Sequence, residues 1–318
     1  MRRAASRSDP CSQGERAMKD FLFYPRDMLV RAMHAAVDVY CALSPVQRGK
    51  IRLRCWAARA GVSLGPVLPR LIVVKAGGCA LPMWVCPTSS VGAGVWAIGR
   101  FDAEGVEACV AALRGRPCAV FLDIGAHCGL FGVFAAATCP RLRVIAVEPS
   151  PSVRELLRRN IAGLDAAIRG QGSSVEVVAA ALGDDGGAAR FHRLNDDGFS
   201  SLYEVPHGGG ETITVPMRRG DEVLAALGVG KVDVCKLDVE GAELRVLRGL
   251  ERTLGRHGIR WLRMEINRER CAAAGHRPAD LVGLLAGHGY RMTAASAARY
   301  ATVNWEIADF EFLAPDAG

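Results

Sequence analysis

The most informative feature of the chain is an apolar run that ends in a glycine-containing turn and is followed by a second apolar run. Residues 120–129 read Val-Phe-Leu-Asp-Ile-Gly-Ala-His-Cys-Gly, and the second run ends at Glu148, 19 residues after Gly129. Short apolar runs bounded by glycine are typical of buried strands in a parallel sheet. Such sheets bind ligands at the carboxyl ends of their strands, where Gly125 and Gly129 leave the backbone open and Glu148 can accept both hydroxyls of a ribose. The two runs therefore predict a nucleoside-type cofactor.

Asp123 discriminates between kinds of nucleoside cofactor. A dinucleotide fold has Gly-x-Gly-x-x-Gly here, and its first glycine lets the turn close under a pyrophosphate. Asp123 occupies that first position, where its carboxylate would repel a pyrophosphate but attract an ammonium and a sulfonium group. We therefore predict S-adenosylmethionine as the cofactor. The alternative is that Asp123 is a buried helix cap that contacts no ligand, since Asp is a favoured N-cap residue.

Length and charge predict one α/β domain with a basic N-terminal segment. The 318 residues are 50% hydrophobic, which is enough for one large domain. Residues 1–75 carry a net charge of +9 and the remainder −2, so we expect a mainly helical segment over 1–75, disordered over 1–17, and a catalytic domain over 76–318. The basic segment favours peripheral contact with an anionic membrane or an acidic partner, or is a solvated helical face. The basic and aromatic clustering typical of nucleic-acid binding is absent from the rest of the sequence.

Cysteine usage and hydropathy predict a cytoplasmic protein without a transmembrane segment. The 11 cysteines are scattered singly, with no Cys-x-x-Cys pair and no zinc-type spacing. Lys75, Pro82 and Pro87 interrupt the most apolar stretch, 71–99, so no run reaches the ~20 residues of a membrane span. The Arg- and Ser-rich start lacks the apolar region of a secretory signal, although it also resembles a transit peptide.

Strands and helices alternate along the chain, which predicts a doubly wound, mostly parallel sheet. The segment 188–215 interrupts this alternation and is predicted to be an antiparallel hairpin insertion. The last two strands lie close in sequence and favour an antiparallel edge. Strands are predicted at 71–75, 83–86, 118–123, 143–148, 174–180, 232–238, 259–265, 289–293 and 307–313. Helices are predicted at 27–43, 46–60, 103–114, 129–138, 151–163, 220–227, 241–254 and 278–287.

Charged side chains cluster where the strand over 232–238 ends. Because residues two apart in a strand point to one face, we expect Lys236, Asp238 and Glu240 to converge at the rim of the sheet. Desolvated charges of both signs are costly unless they are paired or used in chemistry, so a purely structural salt-bridge cluster is the alternative. Glu265 ends the next strand and is expected at the same rim.

The motifs of this chain, taken in order, resemble those of the FkbM family of S-adenosylmethionine-dependent methyltransferases. The resemblance covers roughly residues 95–315 and implies a class I methyltransferase sheet of seven strands, in the order 3-2-1-4-5-7-6. It also implies O-methylation of hydroxyls on sugars or natural products. Two departures are His127, where the family often has Asn, and Met217–Asp221, where relatives usually carry Leu-Asp. The matching segments are Asp-Ile-Gly-Ala-x-x-Gly at 123–129, Val-Glu-Pro-Ser-Pro at 147–151, Ala-Leu-Gly-Asp at 181–184, Ser-Ser-Leu at 200–202, Lys-Leu-Asp-Val-Glu-Gly-Ala-Glu at 236–243 and Met-Glu-Ile at 264–266.

The resemblance implies a role for each motif. The turn over 123–129 would contact the methionine end of the cofactor, Glu148 the ribose, and the segment 181–184 would lie by the adenine. The expected cofactor-binding residues are Asp123, Gly125, Ala126, His127, Gly129, Glu148, Pro149, Leu182 and Asp184.

Methyl transfer to an alcohol requires a group that accepts the hydroxyl proton. Asp238 is the first candidate for this base, with Lys236 or Glu240 tuning it. Carboxylates also bind hard cations, but no metal is expected here. His192 and His207 are alternatives for the base. Ser201 is expected to orient the substrate or the carboxylate of the cofactor, and Glu265 to contact the substrate.

Two other functions remain open from the sequence. An NAD(P)-dependent oxidoreductase would need a glycine at position 123 and a Tyr/Lys or His/Asp pair for hydride transfer, and neither is found. A non-catalytic, cofactor-binding scaffold protein would bind S-adenosylmethionine without transferring a methyl group, which the intact cluster over 236–243 disfavours. The expected partner is a small-molecule or glycan hydroxyl.

Overall fold

The computed structural model divides the chain into two compact units, Met1–Leu68 and Pro69–Gly318. The predicted boundary between residues 75 and 76 falls inside a strand, so the second unit begins earlier than expected. The predicted disorder over 1–17 and most of the predicted helix over 46–60 lie outside the described residues. The structure describes residues 25–43, 53–54, 56–57, 60, 69–76, 78–86, 89–98, 101–194, 200–203, 210–302 and 304–315.

The first unit contains helix α1, Pro25–Leu43, which confirms the helix predicted over 27–43. Its buried side chains recur at helical spacing and form one stripe. His34 lies on this stripe, and its Nε2 is 3.2 Å from the carbonyl oxygen of Ala57. The stripe consists of Val30, His34, Val37 and Cys41.

A hairpin and two helices begin the second unit. Strands β1 (Arg70–Ala76) and β2 (Cys79–Val85) pair antiparallel along their whole length. Helices α2 (Ser90–Ile98) and α3 (Ala103–Leu113) follow, and the sequence predicts α3 but not α2. Asn160 holds the hairpin, because its side chain accepts from the Trp84 N–H and donates to the Trp84 carbonyl at 2.6 and 2.9 Å.

The strands of the rest of the second unit form two sheets. In chain order they are β3 (Val120–Ile124), β4 (Arg143–Val147), β5 (Ser174–Val178), β6 (Ala181–Gly183), β7 (Gly187–Leu194), β8 (Gly210–Arg219), β9 (Val232–Leu237), β10 (Ile259–Asn267), β11 (Arg291–Met292) and β12 (Ile307–Leu313). The central sheet has the order β11-β12-β10-β9-β3-β4-β5. Its neighbouring strands are parallel except for β12, which is antiparallel to both β10 and β11. This is the strand order of a class I methyltransferase sheet, and it confirms the predicted fold and its antiparallel edge.

Helices cover both faces of the central sheet, so its strands alternate between two apolar cores. Phe121 and Val234 pack in one core, and Leu122 and Cys235 pack in the other. The helices of this region are α4 (Gly132–Thr138), α5 (Pro151–Gly163), α6 (Asp165–Gly170), α7 (Gly220–Ala226), α8 (Glu243–Gly249), α9 (Glu251–Gly255), α10 (Arg268–Ala273), α11 (Pro278–Gly287) and α12 (Ala294–Ala301).

The predicted insertion is a separate three-stranded sheet of order β6-β8-β7. Strand β8 pairs antiparallel with β7, which confirms the predicted hairpin, and parallel with β6, a strand that the sequence does not predict. Two boundaries also differ from prediction: the helix predicted over 241–254 is divided at Leu250 into α8 and α9, and β9 ends at Leu237. None of the helices in the described ranges combines the length and the apolar composition that a bilayer span requires.

Candidate active site

Most of the predicted site residues lie in one cleft at the carboxyl ends of β3, β4 and β9. These three strands are adjacent in the central sheet, so the turn after β3 is flanked by the loops that follow the other two. The predicted residues that line the cleft are Gly125, Ala126, His127, Glu148, Pro149, Leu182, Lys236, Asp238 and Glu240.

Gly125 allows the turn after β3 to contact the loop after β9. Its φ is +78°, and a Cβ at this position would lie 1.8 Å from the carbonyl oxygen of Asp238. Gly129 also has a positive φ, +88°, but a Cβ there would meet Val133 and Leu157 at 2.4 and 2.7 Å. Gly125 therefore shapes the cleft, whereas Gly129 lies outside its lining and permits helix packing.

Asp123 lies beneath the turn and does not line the cleft. Its side chain is fully buried, and Oδ2 accepts a hydrogen bond of 2.9 Å from the N–H of Gly132, the first residue of α4. Burial raises the pKa of its carboxyl group above the usual value. Oδ2 thus stabilises the start of α4, whereas Oδ1 is buried without a hydrogen-bond partner among the described residues. The contact of Asp123 with the methionine end of the cofactor stays a prediction.

Glu148 lies at the rim of the cleft with both carboxylate oxygens held by backbone groups. Oε2 accepts from the N–H of His127 at 3.0 Å, and Oε1 accepts from the N–H of Ser150 at 2.8 Å. Only 6% of the residue is exposed, and burial raises its pKa to about 7 against the opposing effect of these hydrogen bonds. Because a carboxylate has about four acceptor positions, two remain for a ligand.

His127 contributes a neutral ring to the cleft. Burial is the main cause that lowers its pKa to about 4. Its backbone has a φ of +49°, a conformation more common for Asn than for most other side chains. Neither ring nitrogen has a hydrogen-bond partner among the described residues.

The segment 181–184 divides between the cleft and the domain surface. Ala181 and Leu182 line the cleft, and their contact with the adenine stays a prediction. Asp184 instead accepts a hydrogen bond of 2.7 Å from Arg245 Nε, and its carbonyl accepts from Arg219. Asp184 therefore does not lie where the prediction of cofactor contact requires, because its carboxylate is paired with Arg245 outside the cleft.

Lys236, Asp238 and Glu240 converge as expected. The predicted cause, alternation along a strand, is wrong. Strand β9 ends at Leu237, and Glu240 is left-handed with a φ of +55°. Lys236 Nζ lies 3.1 Å from both Asp238 Oδ2 and the carbonyl oxygen of Gly125. The ion pair and the turn conformation therefore bring these side chains together.

Glu265 completes a group of three carboxyls with Asp238 and Glu240, with one oxygen of each within 4.8 Å of the others. The charge of Asp238 is the main cause that raises the pKa of Glu265 to about 9, and burial is the main cause that raises that of Glu240 to about 8. Arg270 Nε lies 3.4 Å from Glu240 Oε2. Carboxyls this close repel one another when ionised, so they share protons or hold a cation.

The other candidate residues have different positions. Ser201 is buried, and its Oγ donates a 2.6 Å hydrogen bond to the carbonyl oxygen of Glu240. His192 Nδ1 is 3.1 Å from Thr212 Oγ1 in an exposed pair and does not line the cleft, and His207 lies outside the described residues. The hydroxyl of Ser201 is therefore hydrogen-bonded to the backbone of Glu240 and does not occupy the position expected for contact with a substrate.

Several apolar residues of the cleft escape sequence analysis. They come from the segment before β3, from the turn after it and from the insertion, and apolar side chains in such segments carry no motif. One of them is Phe131, whose ring centre lies 5.0 Å from Lys236 Nζ. These residues are Val91, Phe101, Phe131 and Phe191. Leu202 also lines the cleft, but it belongs to the Ser-Ser-Leu motif over 200–202.

Comparison with known proteins identifies the family. The Methyltransferase FkbM domain matches residues 123–292, more than half of the chain. The chain belongs to the FkbM methyltransferase family. The cofactor of this family is S-adenosylmethionine.

Curated relatives of the chain include FkbM-type enzymes at low identity. AMB antimetabolite synthetase AmbE of Pseudomonas aeruginosa is 28% identical over 56% of this chain and 10% of its own length. Methyltransferase sdnD of Sordaria araneosa is 28% identical over 41% of this chain and 60% of its own length. The 31-O-demethyl-FK506 methyltransferase FkbM of Streptomyces tacrolimicus is 28% identical over 56% and 75%. The chain thus spans less than two thirds of the first two relatives.

Proposed function

We propose that the protein transfers the methyl group of S-adenosylmethionine to a hydroxyl on a sugar or natural product. The observation that carries this proposal is the position of Glu148 and Asp238 in one cleft, on either side of the turn after β3. The Glu148 carboxylate is suited to accept hydrogen bonds from the ribose hydroxyls, and the Asp238 carboxylate is suited to accept the proton of the acceptor hydroxyl. The name of the 31-O-demethyl-FK506 methyltransferase, which specifies an oxygen acceptor, supports O-methylation.

The cleft residues fit an adenosyl cofactor. We assign the ribose hydroxyls to the two acceptor positions that remain on Glu148, and the methionine end to the turn formed by Gly125, Ala126 and His127. Pro149 and Leu182 offer apolar contact for the base. When bound, the cofactor supplies a methyl group on a positively charged sulfur.

Asp238 is assigned as the general base. Its side chain is more exposed than that of Glu240, 31% against 10%, and Lys236 orients it from 3.1 Å. A positioned base contributes typically 10²–10⁴-fold to a rate, and alignment of the reactants can contribute ~7–11 kcal/mol. We assign Glu240 a supporting role beside Asp238. Glu265 does not line the cleft, so we assign it an effect on the protonation of these two carboxyls rather than a contact with the acceptor.

A transfer assay tests the proposal. The purified chain would be incubated with S-adenosylmethionine labelled in its methyl group and with sugars, macrolides and hydroxylated peptides as acceptors. We expect label in an ether that survives mild base, and loss of incorporation in Asp238→Asn. Label found only on amines or carbon would contradict O-methylation, and absence of S-adenosylmethionine binding would contradict the cofactor assignment.

We also propose that the protein acts in the cytoplasm. The cysteines of the described residues form no disulfide, which agrees with a reducing compartment. Measured thiol reactivity of the protein isolated from its host, compared before and after reduction, would test this.

A further inference from the structure

Ser201 connects the insertion to the loop after β9. The backbone of Ser201 exchanges two hydrogen bonds with that of His192 on β7, at 2.7 and 3.1 Å. The residue is only 1% exposed. Its hydroxyl donates to the carbonyl oxygen of Glu240 at 2.6 Å and accepts from the N–H of Tyr203 at 3.1 Å. The hydroxyl is therefore engaged on both sides within the protein.

Glu240 has a backbone conformation that needs such support. A non-glycine residue in the left-handed region is strained and persists where surrounding contacts hold it. The N–H groups of Val239 and Gly241 on either side donate to Glu243 Oε1 at 3.2 and 3.1 Å. These bonds hold the amide side of the turn, and Ser201 holds the Glu240 carbonyl from another sheet.

The same short segment also borders the cleft. Ser200 and Leu202, the neighbours of Ser201, both line it, as do Asp238 and Glu240. Rotation of the Glu240 peptide would change the distance between these two carboxyls. One three-residue segment therefore contacts the ligand space and restrains the loop that carries the proposed base.

We propose that Ser201 is a positioning residue for methyl transfer, whose hydroxyl fixes the Glu240 turn and so places the Asp238 and Glu240 carboxyls at the cleft. The proposal rests on the proposed function of this site. It assigns the insertion a part in aligning the acceptor with the base, in addition to lining the cleft.

Three variants test this role. Ser201→Ala removes the donor, Ser201→Thr retains it, and Thr212→Ala is the control because it removes an exposed hydroxyl bond elsewhere in the same insertion. We expect Ser201→Ala to lower kcat about tenfold, which corresponds to ~1.4 kcal/mol, with a changed pH profile. Its affinity for S-adenosylhomocysteine should stay within about threefold of the unmodified protein. Ser201→Thr should recover most of kcat, and Thr212→Ala should match the unmodified protein.

Hydrogen exchange of the ligand-free protein provides a readout that needs no acceptor. The amides over 239–243 should exchange faster in Ser201→Ala than in the control. If Ser201→Ala does not fold, Ser201→Cys keeps the volume with a weaker donor and should show a smaller change in the same direction. Unchanged exchange over 239–243 or unchanged kcat in a folded variant would overturn the proposal. Absence of turnover in the unmodified protein would instead contradict the proposed function, and exchange would still decide whether Ser201 holds the turn.

Discussion

Replacement of Glu148 by Gln should weaken S-adenosylmethionine binding strongly. The carboxylate has two acceptor positions left beyond its backbone bonds to His127 and Ser150. Hydrogen bonds to a charged group contribute about 1.5–3 kcal/mol each. Loss of two such bonds to a ribose would amount to about 3–6 kcal/mol, or ~10²–10⁴-fold in Kd. The side-chain NH₂ group of the introduced Gln would also face the backbone N–H of His127 or Ser150, and two donors cannot form a hydrogen bond with each other.

The pH dependence of binding gives a second test of the same carboxyl. Because the pKa of Glu148 is raised to about 7, the acceptor form increases as pH rises through that value, and affinity should increase with it. Nearby His127, with a pKa of about 4, stays neutral across this window, and Lys236 and Arg154 stay charged. Glu240, with a pKa of about 8, also ionises in this window, so only the part of the pH dependence that Glu148→Gln removes is assigned to Glu148. Calorimetric titration from about pH 6 to about pH 8.5 should show tighter binding at the alkaline end.

The control for this prediction is Glu155→Gln. Its side chain is 78% exposed on α5, so the same chemical change there should leave Kd unaltered. Thermal unfolding of both variants separates lost binding from lost structure. A Kd for Glu148→Gln within about threefold of the unmodified protein, with affinity independent of pH, would refute the ribose assignment.

Three other changes have defined outcomes. Gly125→Ala should destabilise the protein by at least ~2 kcal/mol, because the added Cβ would meet the Asp238 carbonyl oxygen at 1.8 Å. Gly283→Ala, with open space at its Cβ position, should be neutral or stabilising in the same denaturant titration. The pKa of Glu265 is raised to about 9 in the folded protein. The unfolded chain loses this proton at lower pH, so the free energy of unfolding decreases as the pH rises from the pKa of the unfolded chain towards about 9. Glu265→Gln should therefore raise Tm more at about pH 9 than at about pH 5. An equal rise in Tm at both pH values would contradict the raised pKa of Glu265. Methyl transfer should survive EDTA, and abolition that added Mg²⁺ reverses would assign a cation to the three carboxyls.

The central sheet could be predicted because its determinants are local. Glycines bound the apolar run over 120–124, and helices follow β3, β4 and β9 in sequence as well as in space. The antiparallel edge was predicted for the same reason, since β11 and β12 follow one another in the sequence, joined by residues 293–306, which include α12. The element α2, in contrast, lies in an apolar stretch whose period indicates no particular structure.

The roles of buried residues could not be assigned from spacing. Asp123 and Gly129 belong to a motif that also contains cleft residues, yet one caps α4 and the other permits packing against Leu157. Asp184 pairs with Arg245, which is distant in the sequence. A motif identifies residues that are near a site, whereas contact with the ligand depends on which neighbours occupy the space around each side chain.

The sequence by itself determined the parallel sheet and the placement of Glu148 and Lys236 at the carboxyl ends of two strands, because apolar periodicity and strand direction follow from local residue order. The sequence also placed Glu265 at the rim that carries Asp238. The tertiary structure alone decided the left-handed turn at Glu240, its hydrogen bond from Ser201 and the burial and proximity that raise the pKa of Glu265. Those features depend on contacts between segments far apart in the chain, and a strained backbone or a shared proton persists only where such contacts outweigh its cost.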